Sequence, residues 1–174
     1  FDIAGPEAGF PASRFGDAHN PPQPRTDPVN HPPDPGQTLA PALPAGDWLA
    51  PRDGHRVWWG EAGDPAGLPV LVVHGGPGGA SRPEPIGWFA GRPVRCLLLD
   101  QRGCGRSLPL GETAGNALAD LLDDMERLRE RLGLAAWALA GGSWGAHVAL
   151  AYAARHPRRV SGLFLRSPFT ATPA

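Results

Sequence analysis

The sequence predicts an α/β fold with a mostly parallel sheet, and three observations carry that prediction. Continuous apolar runs at residues 69–74 (PVLVVH), 95–100 (RCLLLD), 137–140 (WALA) and 162–165 (GLFL) read as strands buried on both faces of a sheet. Helix-period stretches separate the later runs, the alternation expected of strand–helix–strand crossovers. Glycine-rich turns follow residues 74 and 140, at strand ends, where open α/β sheets place their ligands.

In chain order, residues 1–46 come first and show no sustained period. They hold half of the 22 prolines of this 174-residue chain and none of its six tryptophans. Such a stretch favours extended, solvated backbone and is expected to be a Pro-rich, disordered arm. Residues 47–174 form the globular part, long enough to bury a core. Within it, residues 47–50 and 55–62 read as two short strands around the turn residues Pro51, Arg52, Asp53 and Gly54. With the four apolar runs, this makes about six strands.

Leu118, Leu121, Leu122, Met125, Leu128 and Leu132 form one apolar helical stripe. Asp120, Asp123, Asp124, Glu126, Arg127, Arg129, Glu130 and Arg131 fall mostly on the other side. Asn116 is the expected cap of this helix and Gly133 its expected stop. Residues 146–155 read as a second, Ala-rich and buried helix, ended by Pro157.

Composition narrows the function. The net charge of −1 gives no electrostatic footprint for nucleic acid or an anionic membrane. No apolar run approaches the roughly 18 residues of a membrane span. Cys96 and Cys104 make no disulfide framework, and no metal-ligand spacing is present. Two unpaired thiols favour the cytoplasm.

Three motifs carry chemistry. Gly141-Gly142-Ser143-Trp144-Gly145 fits G-x-S-x-G between a strand and a helix, the context that raises a nucleophilic serine on a sharp turn. Glycine at 141 and 145 lets strand and helix approach, and the helix N-terminus turns its free N–H groups toward the site. His74-Gly75-Gly76-Pro77-Gly78-Gly79 follows the first apolar run and offers bare N–H donors for a developing oxyanion. The Trp144 N–H is the expected first donor, and Gly75 or Gly76 the second. The run from Asp100, Gln101 and Arg102 to Ser107 supplies polar groups that brace the loops around the site. His74 reads as a loop-orienting histidine, because it lies too early in the chain to serve as the base.

These motifs, in this order and spacing, resemble the proline iminopeptidase family of α/β-hydrolases, serine peptidase family S33. Residues 124–129 (DMERLR), 151–157 (AYAARHP) and 165–169 (LRSPF) are similar to that family as well. The similarity covers residues 47–170. It implies an α/β-hydrolase fold with Ser143 as nucleophile and the backbones of Gly76 and Trp144 as oxyanion hole. The implied substrate is a peptide or small amide with a free N-terminus, cleaved without a cofactor.

A serine hydrolase of this fold needs a carboxylate and then a histidine after the serine. Residues 144–174 contain His147 and His156 and no Asp or Glu. His147 falls in the helix that starts at the serine, and His156 at that helix's far end. The expectation is therefore an N-terminal segment of the fold, about six strands of the family's eight, without its helical cap, and inactive in isolation. A related S33 peptidase or an esterase is the alternative, and a non-catalytic remnant or one half of a split protein is another. Epoxide hydrolases carry Asp where this chain has Ser143. Oligomeric state is not readable from the sequence.

Overall fold

The structure is a computed structural model, and it describes residues 42–168. Residues 1–41 of the expected arm lie outside the described residues, as does Phe169 of the LRSPF segment. The strands are β1 (Asp47–Trp48), β2 (Trp58–Gly63), β3 (Leu68–Val73), β4 (Val94–Leu99), β5 (Trp137–Gly142) and β6 (Val160–Arg166). The helices are α1 (Glu84–Gly87), α2 (Leu118–Arg131) and α3 (Trp144–Arg155), and a single 3₁₀ turn spans Pro157–Arg159. All six strands form one sheet in the order β1-β2-β4-β3-β5-β6. β1 and β2 pair antiparallel, as do β2 and β4; the pairs β4–β3, β3–β5 and β5–β6 are parallel.

Alternation along the central strands splits their side chains between two cores. Leu71, Val73, Leu97, Leu99 and Leu139 face α2 and α3, packing with Met125, Leu128, Val148 and Tyr152. Val70, Val72, Cys96 and Leu98 face the other way, with Trp58, Ile86, Phe89 and Leu43 against them. Burial on both faces explains why these runs carry no polar alternation. β6 is different. Leu163 and Phe164, on opposite faces of the strand, are exposed, and the ring of Phe164 packs edge-on against Trp88.

Several local expectations need correction. The cap of α2 is Ala117 and not Asn116. The Asp120 carboxylate accepts the Ala117 N–H at 2.9 Å, while Asn116 donates its side-chain amide to the carbonyl of Arg102 at 3.0 Å. The stop is as expected: Gly133 N–H reaches Glu130 O and Leu134 N–H reaches Arg129 O, a Schellman closure. Asp124 and Arg129, assigned by pattern to the solvent side, are buried. α3 starts two residues earlier than expected, directly after Ser143, and β5 runs on to Gly142. The short helix α1 has no counterpart in the sequence reading.

The parallel register brings the working loops to one edge. Val73 pairs with Leu99 on one side and with Gly141 on the other. The segments that begin at His74, Asp100 and Ser143 therefore leave the sheet side by side.

Candidate active site

Ser143 stands on the turn between β5 and α3 with φ 54° and ψ −123°. For a non-glycine residue this backbone costs on the order of 1–3 kcal/mol, so the surroundings must enforce it. They do so through the main chain. Ser143 N–H donates to Arg166 O at 3.0 Å, and Ser143 O accepts from Ala146 N–H at 3.0 Å and His147 N–H at 3.2 Å. The side chain is left exposed.

The flanking glycines are dictated by space. A Cβ on Gly145 would lie 2.1 Å from the carbonyl oxygen of Val73, and one on Gly141 2.5 Å from that of Gly145. These closures pull the start of α3 onto the ends of β3 and β5, which turns Ser143 outward. The N-terminus of α3, with its positive dipole end, then lies at the serine.

The loop after β3 lies against this turn. A Cβ on Gly75 would come 3.2 Å from Gly142 O and 3.9 Å from the Ser143 Cβ. Gly76, at φ 138°, is exposed, and a Cβ on Gly79 would collide with Gly75 O at 2.2 Å. The packing of two glycine turns thus sets Gly75 beside Ser143, and Trp144 follows it in the chain.

The loop after β4 braces both. Asp100 is fully buried; its carboxylate accepts Ser81 N–H at 2.7 Å and the Arg106 N–H and guanidinium, each at 2.8 Å. Buried Gln101 donates from Nε2 to His74 O at 2.9 Å and accepts from Trp144 Nε1 at 2.8 Å. Arg102 is buried and bidentate on Asp124 at 2.6 and 3.0 Å, and it also donates to Gly115 O at 2.7 Å. A cavity of about 320 Å³ opens beside these groups, with Pro77, Gly78, Gln101, Cys104, Thr113 and Trp144 in its wall. Burial pushes the Cys104 thiol up, away from thiolate chemistry, and lifts that of Cys96 to about 11.

His74 is buried between these loops. Its Nε2 accepts Gln101 N–H at 3.0 Å, so Nδ1 carries the proton and donates to Gly75 O at 2.8 Å. Burial is the main cause that lowers its pKa, against the Gly75 hydrogen bond and the Asp100 charge, which raise it. A depressed folded pKa means that this contribution to stability is present above the ordinary histidine value and is lost as pH falls through the folded one. The stability advantage of the wild-type chain over His74→Gln, read from urea midpoints, is expected to shrink below about pH 6.5. An advantage that stays constant down to about pH 4.5 would contradict this assignment of the ring.

The two later histidines lie at opposite ends of α3. His147 lies in the first turn of α3 with its ring stacked on Trp144, the centroids 5.2 Å apart. His156 caps the far end of α3 and packs on Tyr152, roughly 20 Å along the helix from Ser143. Among the described residues, no group of three or more His, Cys, Asp or Glu side chains is placed to hold a metal ion. No helix among them is long and apolar enough to cross a membrane.

Asp124 is the residue near the site that the sequence reading missed. The available signal was an acid four residues after Asp120 on the flank of the apolar stripe, with a buried arginine to satisfy it only in the distant loop after β4.

Comparison with known proteins agrees with this fold. The chain is 47% identical over 120 residues to the proline iminopeptidase of Neisseria meningitidis, covering 69% of this chain and 39% of that one. It is 44% identical over 121 residues to the proline iminopeptidase of Arabidopsis thaliana, covering 70% and 32%. The crystal structure of a proline iminopeptidase-related protein from Thermus thermophilus matches with a TM-score of 0.61 at 30% identity, over 69% of this chain and 43% of that one. The chain thus spans less than half the length of these relatives. A family model described as the alpha/beta hydrolase fold matches residues 69–174, from the strand before the glycine loop through the serine turn and β6. The chain therefore belongs to the α/β-hydrolase family.

Proposed function

We propose that this segment carries the nucleophile and the oxyanion donors of a serine aminopeptidase that releases N-terminal proline. Ser143 Oγ attacks the carbonyl of the first residue, the peptide C–N bond breaks and the shortened peptide leaves with the Ser143 proton on its amine, and water then hydrolyses the acyl-enzyme to free proline and the serine. The N–H groups of Trp144 and Gly76, or Gly75, receive the oxyanion. The observation that carries this reading is the Ser143 backbone, held at φ 54° between Gly141 and Gly145 at the N-terminus of α3. The substrate class follows from the resemblance to the proline iminopeptidases.

The base and its orienting carboxylate come from residues other than 42–168: in this fold a carboxylate and then a histidine follow the serine, and residues 144–168 hold no Asp or Glu. Residues 1–174 alone are accordingly proposed to turn over no proline arylamide.

The test is a chimera in which residues 47–168 replace the matching segment of the Neisseria meningitidis relative. It is expected to hydrolyse a proline arylamide, and Ser143→Ala is expected to lower kcat by about 10⁴–10⁶. Turnover of acyl esters with none of the proline arylamide would overturn the aminopeptidase assignment. Robust turnover by residues 1–174 that disappears in Ser143→Ala would overturn the claim that the base lies elsewhere.

A further inference from the structure

The two oxyanion donors belong to different segments, the loop after β3 and the start of α3, and something must fix the distance between them. One side chain touches both. Gln101 Nε2 donates to His74 O, the carbonyl at the root of the glycine loop, at 2.9 Å. Gln101 Oε1 accepts from the Trp144 indole N–H at 2.8 Å, on the residue whose backbone N–H is the other donor. The amide has a single sense here. Indole N–H can only donate and a carbonyl can only accept, so no flip of the amide satisfies both. Gln101 is 4% exposed, and its own N–H is bound to His74 Nε2 at 3.0 Å, so its backbone and its side chain are both anchored.

From this bridge we infer that Gln101 is the positioning residue that sets the spacing of the oxyanion donors. The inference rests on the reading of Ser143 as nucleophile. It assigns Gln101 a task distinct from the remaining polar groups of its loop. Asp100 and Arg102 tie that loop to Ser81, Arg106, Asp124 and Gly115, whereas Gln101 alone among the three joins the glycine loop to α3. An error of even a few tenths of an ångström between the donors weakens hydrogen bonds that must shorten onto a developing charge. Gln101 acts through those donors and does not touch the reacting atoms.

Two variants separate the two ends of the bridge. Gln101→Leu removes both. Gln101→Glu keeps an acceptor for the indole but sets a carboxylate oxygen against His74 O. The 174-residue chain is ¹⁵N-labelled, and the Trp144 indole signal is identified by its loss in Trp144→Phe. In the wild type, this indole N–H is expected to exchange with solvent at least about tenfold more slowly than that of exposed Trp88. In Gln101→Leu the protection is lost and the Gly75 and Gly76 amide signals shift. In Gln101→Glu the indole stays protected while the Gly75 and Gly76 signals still shift. An indole rate unchanged in Gln101→Leu, or glycine signals unmoved in Gln101→Glu, would overturn the bridge.

The functional arm is phosphonylation of Ser143 by excess fluorophosphonate in the chimera of residues 47–168 with the Neisseria meningitidis relative, followed by intact mass on variants that keep their circular dichroism. Both substitutions are expected to slow it at least about tenfold, and an unchanged rate overturns the positioning role. A wild-type chimera that takes no label, while the NMR signatures appear as expected in the 174-residue chain, refutes Ser143 as nucleophile and leaves the bridge established.

Discussion

Asp124→Ala is expected to cost about 3–5 kcal/mol of folding stability, among the largest effects available in this chain. The Asp124 carboxylate is 1% exposed and takes two hydrogen bonds from Arg102, also 1% exposed, and a third from Arg127 at 3.0 Å. Removing it leaves the Arg102 guanidinium in the interior with only the Gly115 carbonyl at hydrogen-bonding distance and the carboxylates of Asp53 and Asp120 at 3.8 and 4.0 Å. The penalty is that of an uncompensated buried charge, not the net worth of the pair. Replacing both partners, as Arg102→Met with Asp124→Leu, is therefore expected to recover most of the loss. Urea unfolding of the single and double variants decides this. Similar losses in the single and double variants would mean that the site depends on shape alone. The loop from Gly103 to Asn116 hangs on this pair, so Asp124→Ala is also expected to loosen the wall of the cavity of about 320 Å³.

Gly145→Ala is the second large effect, with an expected loss of about 3 kcal/mol, at the upper end for overpacking. The added Cβ would meet two main-chain oxygens, Val73 O at 2.1 Å and His74 O at 2.8 Å, and neither can rotate away. β3 and α3 must separate, and the serine turn opens. Gly142 provides the internal control. A Cβ there finds its nearest neighbour, Arg166 O, at 3.8 Å, which is ordinary contact. Gly142→Ala is expected to change stability by less than about 1 kcal/mol, although it adjoins the serine in the same motif. Thermal unfolding of the two variants side by side checks the contrast, and equal losses would contradict it.

The contrast between these glycines also shows what the sequence discloses. Strands β3, β4 and β5 were legible because burial on both faces leaves unbroken apolar runs; β6 shows an apolar run as well, although none of its residues is buried. α2 was legible because its leucines repeat with the helical period. The motifs located Ser143 and the glycine loop because each is a run of consecutive residues recognisable by type alone, without its distant partners. Asp124 was not legible, because its partner is 22 residues away on another loop and periodicity weighs only residue type. Asn116 looked like a cap by type, yet the loop after β4 claims its amide, and Asp120 covers the helix end from inside. α1 spans four residues among prolines and leaves no pattern to read. The exchange of roles at Gln101, from one polar residue in a bracing loop to the bridge between two segments, is a fact of tertiary register.

The hydrogen bond from Ser143 N–H to Arg166 O has a mechanical meaning. Ser143 is not held by its own turn alone; it is latched to the last residue of β6, a strand with one neighbour in the sheet among the described residues. Edge strands open at lower free energy than central ones. Each time the end of β6 frays, the serine backbone loses an anchor and can relax from its strained angles. The poise of Ser143 is thus an equilibrium property of a strand outside its own turn, and whatever seats β6 more firmly also holds the Ser143 backbone at its strained angles.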